Sequence, residues 1–163
     1  MNLHSFSTAL LSVFFAASTF ALAPGERVDN FRLLDETGSS HELYYFSDTK
    51  AFVLMAHNSS CQSMQESVEA LASMQASYAD QGVEFMLINS DLRDDRSAIQ
   101  ASVADQNIAA PVLMDSTQII GESLGAMSAG DTVVINPSNW QVAYLGGAQN
   151  AGQAVASLVK GQS

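Results

Sequence analysis

The sequence predicts one α/β domain with a central mixed sheet, flanking helices and a C-terminal β-hairpin. Residues 51–57 are nearly all apolar, as expected of a strand covered on both faces, and residues 83–90 are predicted to be a second buried strand. Each is followed by a segment with helical periodicity, which is typical of parallel strands joined by crossover helices. Two strand-like segments close together near the C-terminus add antiparallel strands at one edge of the sheet.

The first half of the chain begins with a strand at 28–35, the turn "ETGS" and a short extended or helical segment at 41–46. The buried strand at 51–57 leads into a long predicted helix at 60–81, which Gly82 ends. The buried strand at 83–90 then follows.

In the second half, a helix is predicted at 94–107 because acidic residues lie in its first turn. A short strand led by a proline follows at 110–116, and a helix at 117–126. The hairpin pairs residues 131–137 with 140–147 across "SN". A short helix at 151–161 completes the chain.

Composition limits the classes of function. The chain has 163 residues, enough for one domain with a substantial core. Its 17 acidic and 6 basic residues give a net charge of −11, which excludes nucleic acid and anionic membrane surfaces as expected partners. The central region has no linker rich in Pro, Gly or Ser, so we expect no second domain.

Residues 1–23 are predicted to be a signal peptide and residues 24–163 the domain. The apolar run from Ala9 to Phe20 has the length of a signal-peptide core and is short for a bilayer span. Residues 21–23, "ALA", match a small-x-small cleavage site. The segment before the run lacks Lys and Arg, and Pro24 would follow the cut, so an uncleaved anchor or a buried N-terminal helix remains open.

Export would give a periplasmic or secreted protein without stable membrane insertion after cleavage. Cys61 is the only cysteine of the chain, so it cannot form an internal disulfide in an oxidising compartment. It stays a thiol, pairs with another molecule or holds a metal.

Cys61 comes directly after a buried strand and at the expected start of a helix. Functional sites are common at such strand ends in open α/β sheets. A helix start carries unpaired N–H groups and about half a positive charge, which stabilise a thiolate. Asn58, Ser59 and Ser60 are good N-cap residues. The segment Ser63–Glu66 also fits a capping box, which would start the helix after the cysteine instead.

The chain resembles the thioredoxin-fold redoxins, a group that includes exported thiol–disulfide oxidoreductases and peroxiredoxins of the alkyl hydroperoxide reductase type. The resemblance rests on the order of elements, the strand "AFVLMAH", the cysteine before a long helix, and "GVEFMLINS". The segments "APVLMDSTQIIGESLGA" and "DTVVINPSNWQVAYLGG" extend it over about residues 25–147. The resemblance implies a thioredoxin-like fold with Cys61 as the catalytic residue.

Two departures concern the thioredoxin-like motif Cys-x-x-Cys. Here the sequence is Cys61-Gln62-Ser63-Met64, so Met64 replaces the resolving cysteine. Such a site can attack a disulfide, but it needs a second, external thiol to release the mixed disulfide. The cis-proline that the family places opposite the cysteine corresponds to Gly130, which leaves the backbone accessible but fixes no cis bond.

The peroxiredoxin pattern is also incomplete. Thr or Ser three residues before the cysteine corresponds to Asn58, and the upstream proline corresponds to Leu54. No arginine falls in the later strand where peroxiredoxins use one. The resemblance therefore leaves only slow, one-cysteine reduction of peroxide.

His57, Cys61 and Met64 form a second pattern, H-x3-C-x2-M. Imidazole, thiolate and thioether together suit Cu(I). Met64 also begins an apolar stripe at helical spacing, which indicates ordinary core packing. His57 is open to three interpretations: a copper ligand, a base or cationic neighbour of the thiol, or a histidine satisfied at a strand end.

Two hypotheses remain open from the sequence. The first is an exported, cofactor-free, thiol-dependent oxidoreductase in which Cys61 exchanges disulfides or reduces peroxide. Its partners would be an external thiol reductant or a thiol/disulfide protein, and its site neighbours His57, Asn58, Ser60, Met64 and Gly130. The second is a binding module without catalysis, for copper or for a protein partner.

Overall fold

The computed structural model describes residues 22–61, 64–126 and 128–161. Nearly all of the predicted signal peptide lies outside this part of the chain. The described strands are β1 Arg32–Leu34, β2 Ser40–Glu42, β3 Ala51–His57, β4 Val83–Asn89, β5 Val112–Met114, β6 Asp131–Asn136 and β7 Gln141–Gly147. The described helices are α1 Gln65–Tyr78, α2 Arg96–Asp105, α3 Ile119–Leu124 and α4 Ala148–Val159.

Five strands form the central sheet in the order β5-β4-β3-β6-β7. β3 and β4 are parallel, as are β4 and β5, whereas β6 runs antiparallel to both β3 and β7. The predicted mixed sheet with a hairpin at one edge is therefore confirmed. β1 and β2 form a separate antiparallel pair.

β3 lies at the centre of the sheet, and all of its residues are buried. Its side chains alternate between two cores, because successive residues of a strand face opposite sides. Val53 and Met55 join the core beneath α1 and α4, whereas Phe52 and Leu54 join the core on the other face. Burial on both faces explains why the strand is continuously apolar.

The hairpin β1–β2 turns around one buried carboxylate. Asp35 accepts hydrogen bonds from the N–H groups of Thr37 and Ser39, and it lies 2.7 Å from Nε2 of His41. Burial favours the neutral acid, but these hydrogen bonds outweigh it and lower the pKa of Asp35 to about 2. The turn predicted at "ETGS" is confirmed.

Several boundaries differ from the prediction. α1 begins at Gln65 rather than at residue 60, and a turn in which Cys61 donates its N–H to the carbonyl of Asn58 comes before it. Its last turn is a 3-10 segment ending at Gly82, whose φ of +83° confirms the predicted stop. Asp95, one of the acidic residues expected in the first turn of α2, is instead its N-cap and accepts a hydrogen bond from the N–H of Ala98.

Two differences lie at the ends of the chain. β1 covers only part of the predicted strand 28–35, because Val28 donates its N–H to the carbonyl of Trp140 instead. α4 begins at Ala148, earlier than predicted.

Among the described residues, no helix is long and apolar enough to cross a membrane.

Candidate functional site

Cys61 lies in a turn between β3 and α1. Its N–H donates to the carbonyl of Asn58 at 3.3 Å, and its own carbonyl accepts from the N–H of Met64 at 3.3 Å. The residue is partly exposed and contacts the core beneath α1. Cys61 therefore precedes the helix and is not a residue of its first turn, which corrects the predicted helix start at residue 60.

A cleft of about 650 Å³ opens beside Cys61. One wall is the first two turns of α1, and the other is the C-terminal end of α2. The residues that line it are Ser59, Ser60, Cys61, Gln65, Val68, Glu69, Asp105, Gln106 and Asn107. The acidic members, Glu69 and Asp105, are exposed, and the described lining contains no Lys, Arg or His.

Two polar atoms of lining residues are buried without a hydrogen-bond partner among the described residues: the hydroxyl oxygen of Ser59 and the amide oxygen of Gln106. The amide nitrogen of Gln106 donates to the hydroxyl of Ser102 at 2.8 Å, which leaves the amide oxygen as the unpaired end. Buried polar atoms in native proteins are usually paired, so these two atoms are exceptions among the residues that line the cleft.

The loop after β4 holds the segment that precedes Cys61. Asp94 accepts from the N–H of Ser59 at 2.8 Å and from the amide of Asn89 at 2.7 Å. The amide of Asn58 donates to Asp91 at 2.6 Å. Hydrogen bonds from Arg93 hold the pKa of Asp91 well below its usual range. Charged acceptors thus fix the backbone on the strand side of the cysteine.

His57 is enclosed by side chains beneath this segment and is only 3% exposed. Its Nδ1 accepts from the amide of Asn89 at 3.0 Å, so Nε2–H donates to Ser102 at 3.1 Å. Burial lowers the pKa of His57 to about 4, although the carboxylate of Asp94 acts in the opposite direction. His57 is therefore neutral at pH 7, and side chains satisfy both of its ring nitrogens. This geometry does not support a cationic neighbour of the thiol.

Met64 and Gly130 also lie apart from the cleft. Met64 is 1% exposed, belongs to the core, and its sulfur accepts from the N–H of Asn58 at 3.2 Å. Gly130 has φ +88° and donates its N–H to Ala56 at 2.9 Å. A Cβ at this position would overlap the side chain of Ser67 on α1. Gly130 therefore allows the close approach of α1, and it does not line the cleft.

The predicted site set is thus divided. Ser60 lines the cleft with Cys61, whereas His57 and Asn58 line a separate recess of about 320 Å³. The hypothesis of copper bound by His57, Cys61 and Met64 gains no support, because His57 and Met64 already make hydrogen bonds within the fold. Across the described ranges, no three His, Cys, Asp or Glu side chains are grouped as a metal site.

Sequence reasoning missed four residues that shape the site: Glu69, Asp94, Asp105 and Gln106. Asp94 belongs to "SDLRDDR", whose charge density is also typical of a solvated loop. Glu69 and Asp105 are exposed on two helices, Gln106 directly follows α2, and no spacing signal connects them with the cysteine. Only the tertiary fold, which places the end of α2 across the cleft from α1, brings them near Cys61.

A mixed sheet with the cysteine between its central strand and the following helix defines a thioredoxin-like redoxin. The family model described as "AhpC/TSA family" matches residues 24–144. The chain therefore belongs to the AhpC/TSA family. No curated protein sequence matches it.

Solved structures show the same fold. A hypothetical protein from Sinorhizobium meliloti is 23% identical with a TM-score of 0.77, covering 88% of each chain. A putative thiol:disulfide interchange protein DsbE from Chlorobium tepidum is 18% identical with a TM-score of 0.71, covering 85% of this chain and 99% of that one. Peroxidoxin BcpB from Mycobacterium tuberculosis is 17% identical with a TM-score of 0.71, covering 87% and 99%.

Proposed function

We propose that this protein is an exported redoxin that exchanges disulfides through the single thiol of Cys61. The observation that carries this proposal is the position of Cys61, partly exposed at a cleft of about 650 Å³ beside the carboxyl end of the central strand. The cleft has room for a small disulfide or for a few atoms on each side of a protein disulfide.

Thiol–disulfide exchange fits the cleft better than peroxide reduction. Peroxide reduction in this family depends on a cationic group that stabilises the thiolate, and the described lining of the cleft contains none. Arg93 pairs with Asp91 and lines the separate recess. His57 is neutral and buried. Disulfide exchange needs access for the incoming disulfide along the S–S axis, which an open cleft provides.

The absence of a second cysteine in the chain determines how the cycle ends. The thiolate of Cys61 attacks one sulfur of a disulfide, a new S–S bond forms, and the other half leaves as a thiolate. Release then requires an external thiol, which attacks the mixed disulfide and restores Cys61. The partners of this reaction are a thiol reductant and a disulfide-bearing molecule or protein. No cofactor takes part.

Export is the second part of the proposal. Cleavage after Ala23 would release a domain that starts at Pro24, where the family match also starts. Leu22 contacts the core on the side of Phe52, so cleavage would remove this contact. Fractionation of cells that express the full chain, with mass measurement of the N-terminal peptide, tests this point. A protein that retains residues 1–23 and stays in the cytoplasm would contradict it.

The exchange reaction is tested in a single turnover. The purified protein is mixed with excess 2-hydroxyethyl disulfide at pH 7, and the adduct of Cys61 is followed by intact mass. We expect one adduct per chain, formed at Cys61 and fully released by dithiothreitol. Cys61→Ser is the matched control and should form no adduct.

A Cys61 that stays unmodified would contradict exchange. The binding module for a protein partner would then be the better account. Hydrogen peroxide in place of the disulfide provides the comparison within the family. Faster turnover with peroxide than with the disulfide would reverse our assignment of the reaction.

A further inference from the structure

We propose that the cleft beside Cys61 selects disulfides and thiols that carry positive charge near the sulfur, and that Glu69 and Asp105 determine this preference. The inference rests on the proposed function, because it names the substrate class of the same site. It concerns the charge of the molecule that enters the cleft, which the fold alone does not define.

The charge of the lining is one-sided. Glu69 extends from the second turn of α1, and Asp105 ends α2 on the opposite wall. Both are exposed, and the described lining offers no positive group to balance them. Glu69 accepts from the amide of Gln65 at 3.1 Å, a neutral donor that leaves its charge in place. The net charge of −11 adds a weaker field of the same sign.

The size of the effect follows from Coulomb's law. If the charged group lies about 7 Å from a carboxylate, a distance assumed here for a molecule inside the cleft, the encounter rate in a water-like dielectric changes by about threefold in low salt. Two carboxylates attract a cationic disulfide and repel an anionic one. The ratio of the two rates therefore contains both effects. We therefore expect a cationic disulfide to react more than about tenfold faster than an anionic one, even with partial screening.

Two buried oxygens on residues that line the cleft are compatible with the same preference. The amide oxygen of Gln106 is buried and can only accept, and no described group donates to it. The hydroxyl of Ser59 on the same cleft also has no partner among the described residues. An ammonium group brings three donors and no acceptor. A carboxylate brings only acceptors, so it would leave the oxygen of Gln106 unsatisfied.

The reaction step is an exchange in which electrons balance. The sulfur of Cys61, as thiolate, forms a bond to the nearer sulfur of the disulfide. The disulfide bond breaks, and the distant half leaves as an aminothiolate that takes a proton from water. A thiol of the same cationic class then attacks the mixed disulfide, which restores the thiolate of Cys61 and yields a new disulfide.

The experiment compares three disulfides that differ in charge: cystamine as the dication, 2-hydroxyethyl disulfide as the neutral probe, and dithiodiglycolate as the dianion. Rate constants for adduct formation at Cys61 are measured by intact mass at pH 7 and low ionic strength. The rate constant for each disulfide is divided by the rate constant with which an uncharged alkyl thiol reacts with the same disulfide. This division removes differences in the intrinsic reactivity of the probes. We expect the order cystamine, neutral, dianion, with at least tenfold between the extremes and a smaller ratio in 0.5 M salt.

The double variant Glu69→Gln/Asp105→Asn tests the assignment to these two residues. It should lower the ratio of cystamine to dithiodiglycolate at least threefold. The matched control is Asp48→Asn/Glu122→Gln, which changes the net charge equally. Asp48 precedes the opposite end of β3, and Glu122 lies on α3; both are exposed. This control should keep the ratio within twofold.

The outcomes separate the two proposals. Equal normalised rates for all three probes overturn the charge preference and leave disulfide exchange standing. No adduct with any probe overturns both. If the control variant lowers the ratio of cystamine to dithiodiglycolate as much as the cleft variant does, the preference comes from overall charge. That result overturns the roles of Glu69 and Asp105. A lysine-flanked peptide disulfide that reacts faster than cystamine supports a polypeptide substrate, and the reverse order supports a small amine.

Discussion

Folding stability should depend on pH through His57, because this histidine is buried in neutral form. The residue is 3% exposed, and Asn89 and Ser102 satisfy the hydrogen bonds of its two ring nitrogens. Burial lowers its pKa to about 4 in the folded protein, whereas an unfolded chain holds histidine near 6.5. Between these values the unfolded state binds more protons, so the free energy of unfolding falls as the pH falls.

The magnitude follows from the two pKa values. His57 leaves stability unaffected above about pH 7, and its protonation in the unfolded state costs stability progressively down to about pH 4. Integration from pH 7 to pH 5 gives a loss of about 2 kcal/mol, within a limiting value of about 3 kcal/mol. That loss is a large part of the stability of a domain of this size.

The assay is urea denaturation of the wild type and of His57→Gln at pH 7 and pH 5. Glutamine does not titrate, so its free energy of unfolding should change by about 2 kcal/mol less between the two pH values. His57→Asn serves as a second variant in case one amide packs poorly. His41→Gln is the matched histidine control, because His41 pairs with Asp35 on the β1–β2 hairpin. The free energy of unfolding of His41→Gln should keep the pH dependence that His57 causes.

Equal pH dependence in the wild type and in both His57 variants would refute this reasoning. It would mean that His57 titrates alike in the folded and unfolded states, and that the histidine is accessible to water. The hydrogen bonds to Asn89 and Ser102 would then not describe the protein in solution.

Three further predictions concern stability and use urea denaturation as the measurement. Gly130→Ala should lower the free energy of unfolding by about 1–3 kcal/mol, because φ is +88° there and the new Cβ would overlap Ser67. Gly25→Ala, where φ is +92° but the space is open, should lower it less. Equal losses for the two variants would contradict the role of the contact with Ser67. Asp94→Ala should cost about 1–3 kcal/mol because two N–H donors lose their acceptor, with Asp94→Asn intermediate; an unchanged midpoint would contradict its anchoring role. Asp35 ionises at a pKa of about 2 when folded, so its contribution is present above about pH 4 and is lost towards pH 2. Asp35→Asn should therefore differ from the wild type at pH 6 but converge with it near pH 2, and a constant difference would contradict the shift.

The sequence was sufficient for the sheet and its order of elements. β3 and β4 were predictable because burial on both faces demands continuous apolar segments, and Gly82 marks a helix end through its backbone freedom. These features depend on neighbouring residues. The hairpin β6–β7 was equally clear, since its two strands are adjacent in the chain.

Features that depend on distant contacts could not be predicted. Asp94, 35 residues further along the chain, accepts the N–H of Ser59 and so holds the segment before α1. The neutral state of His57 depends on enclosure by side chains from β4 and α2. The acidic cleft exists only because Glu69 and Asp105 of two different helices meet beside the cysteine. No local pattern records any of these contacts.

The most direct test of the account is the turnover rate of disulfide exchange at Cys61. The protein is mixed at catalytic concentration with 2-hydroxyethyl disulfide and dithiothreitol at pH 7, and product thiol is followed over time. We expect a rate proportional to the concentration of protein, abolished in Cys61→Ser and retained in Asp48→Asn/Glu122→Gln. A rate indistinguishable from the reaction without protein would contradict the claim that Cys61 is a redox-active thiol.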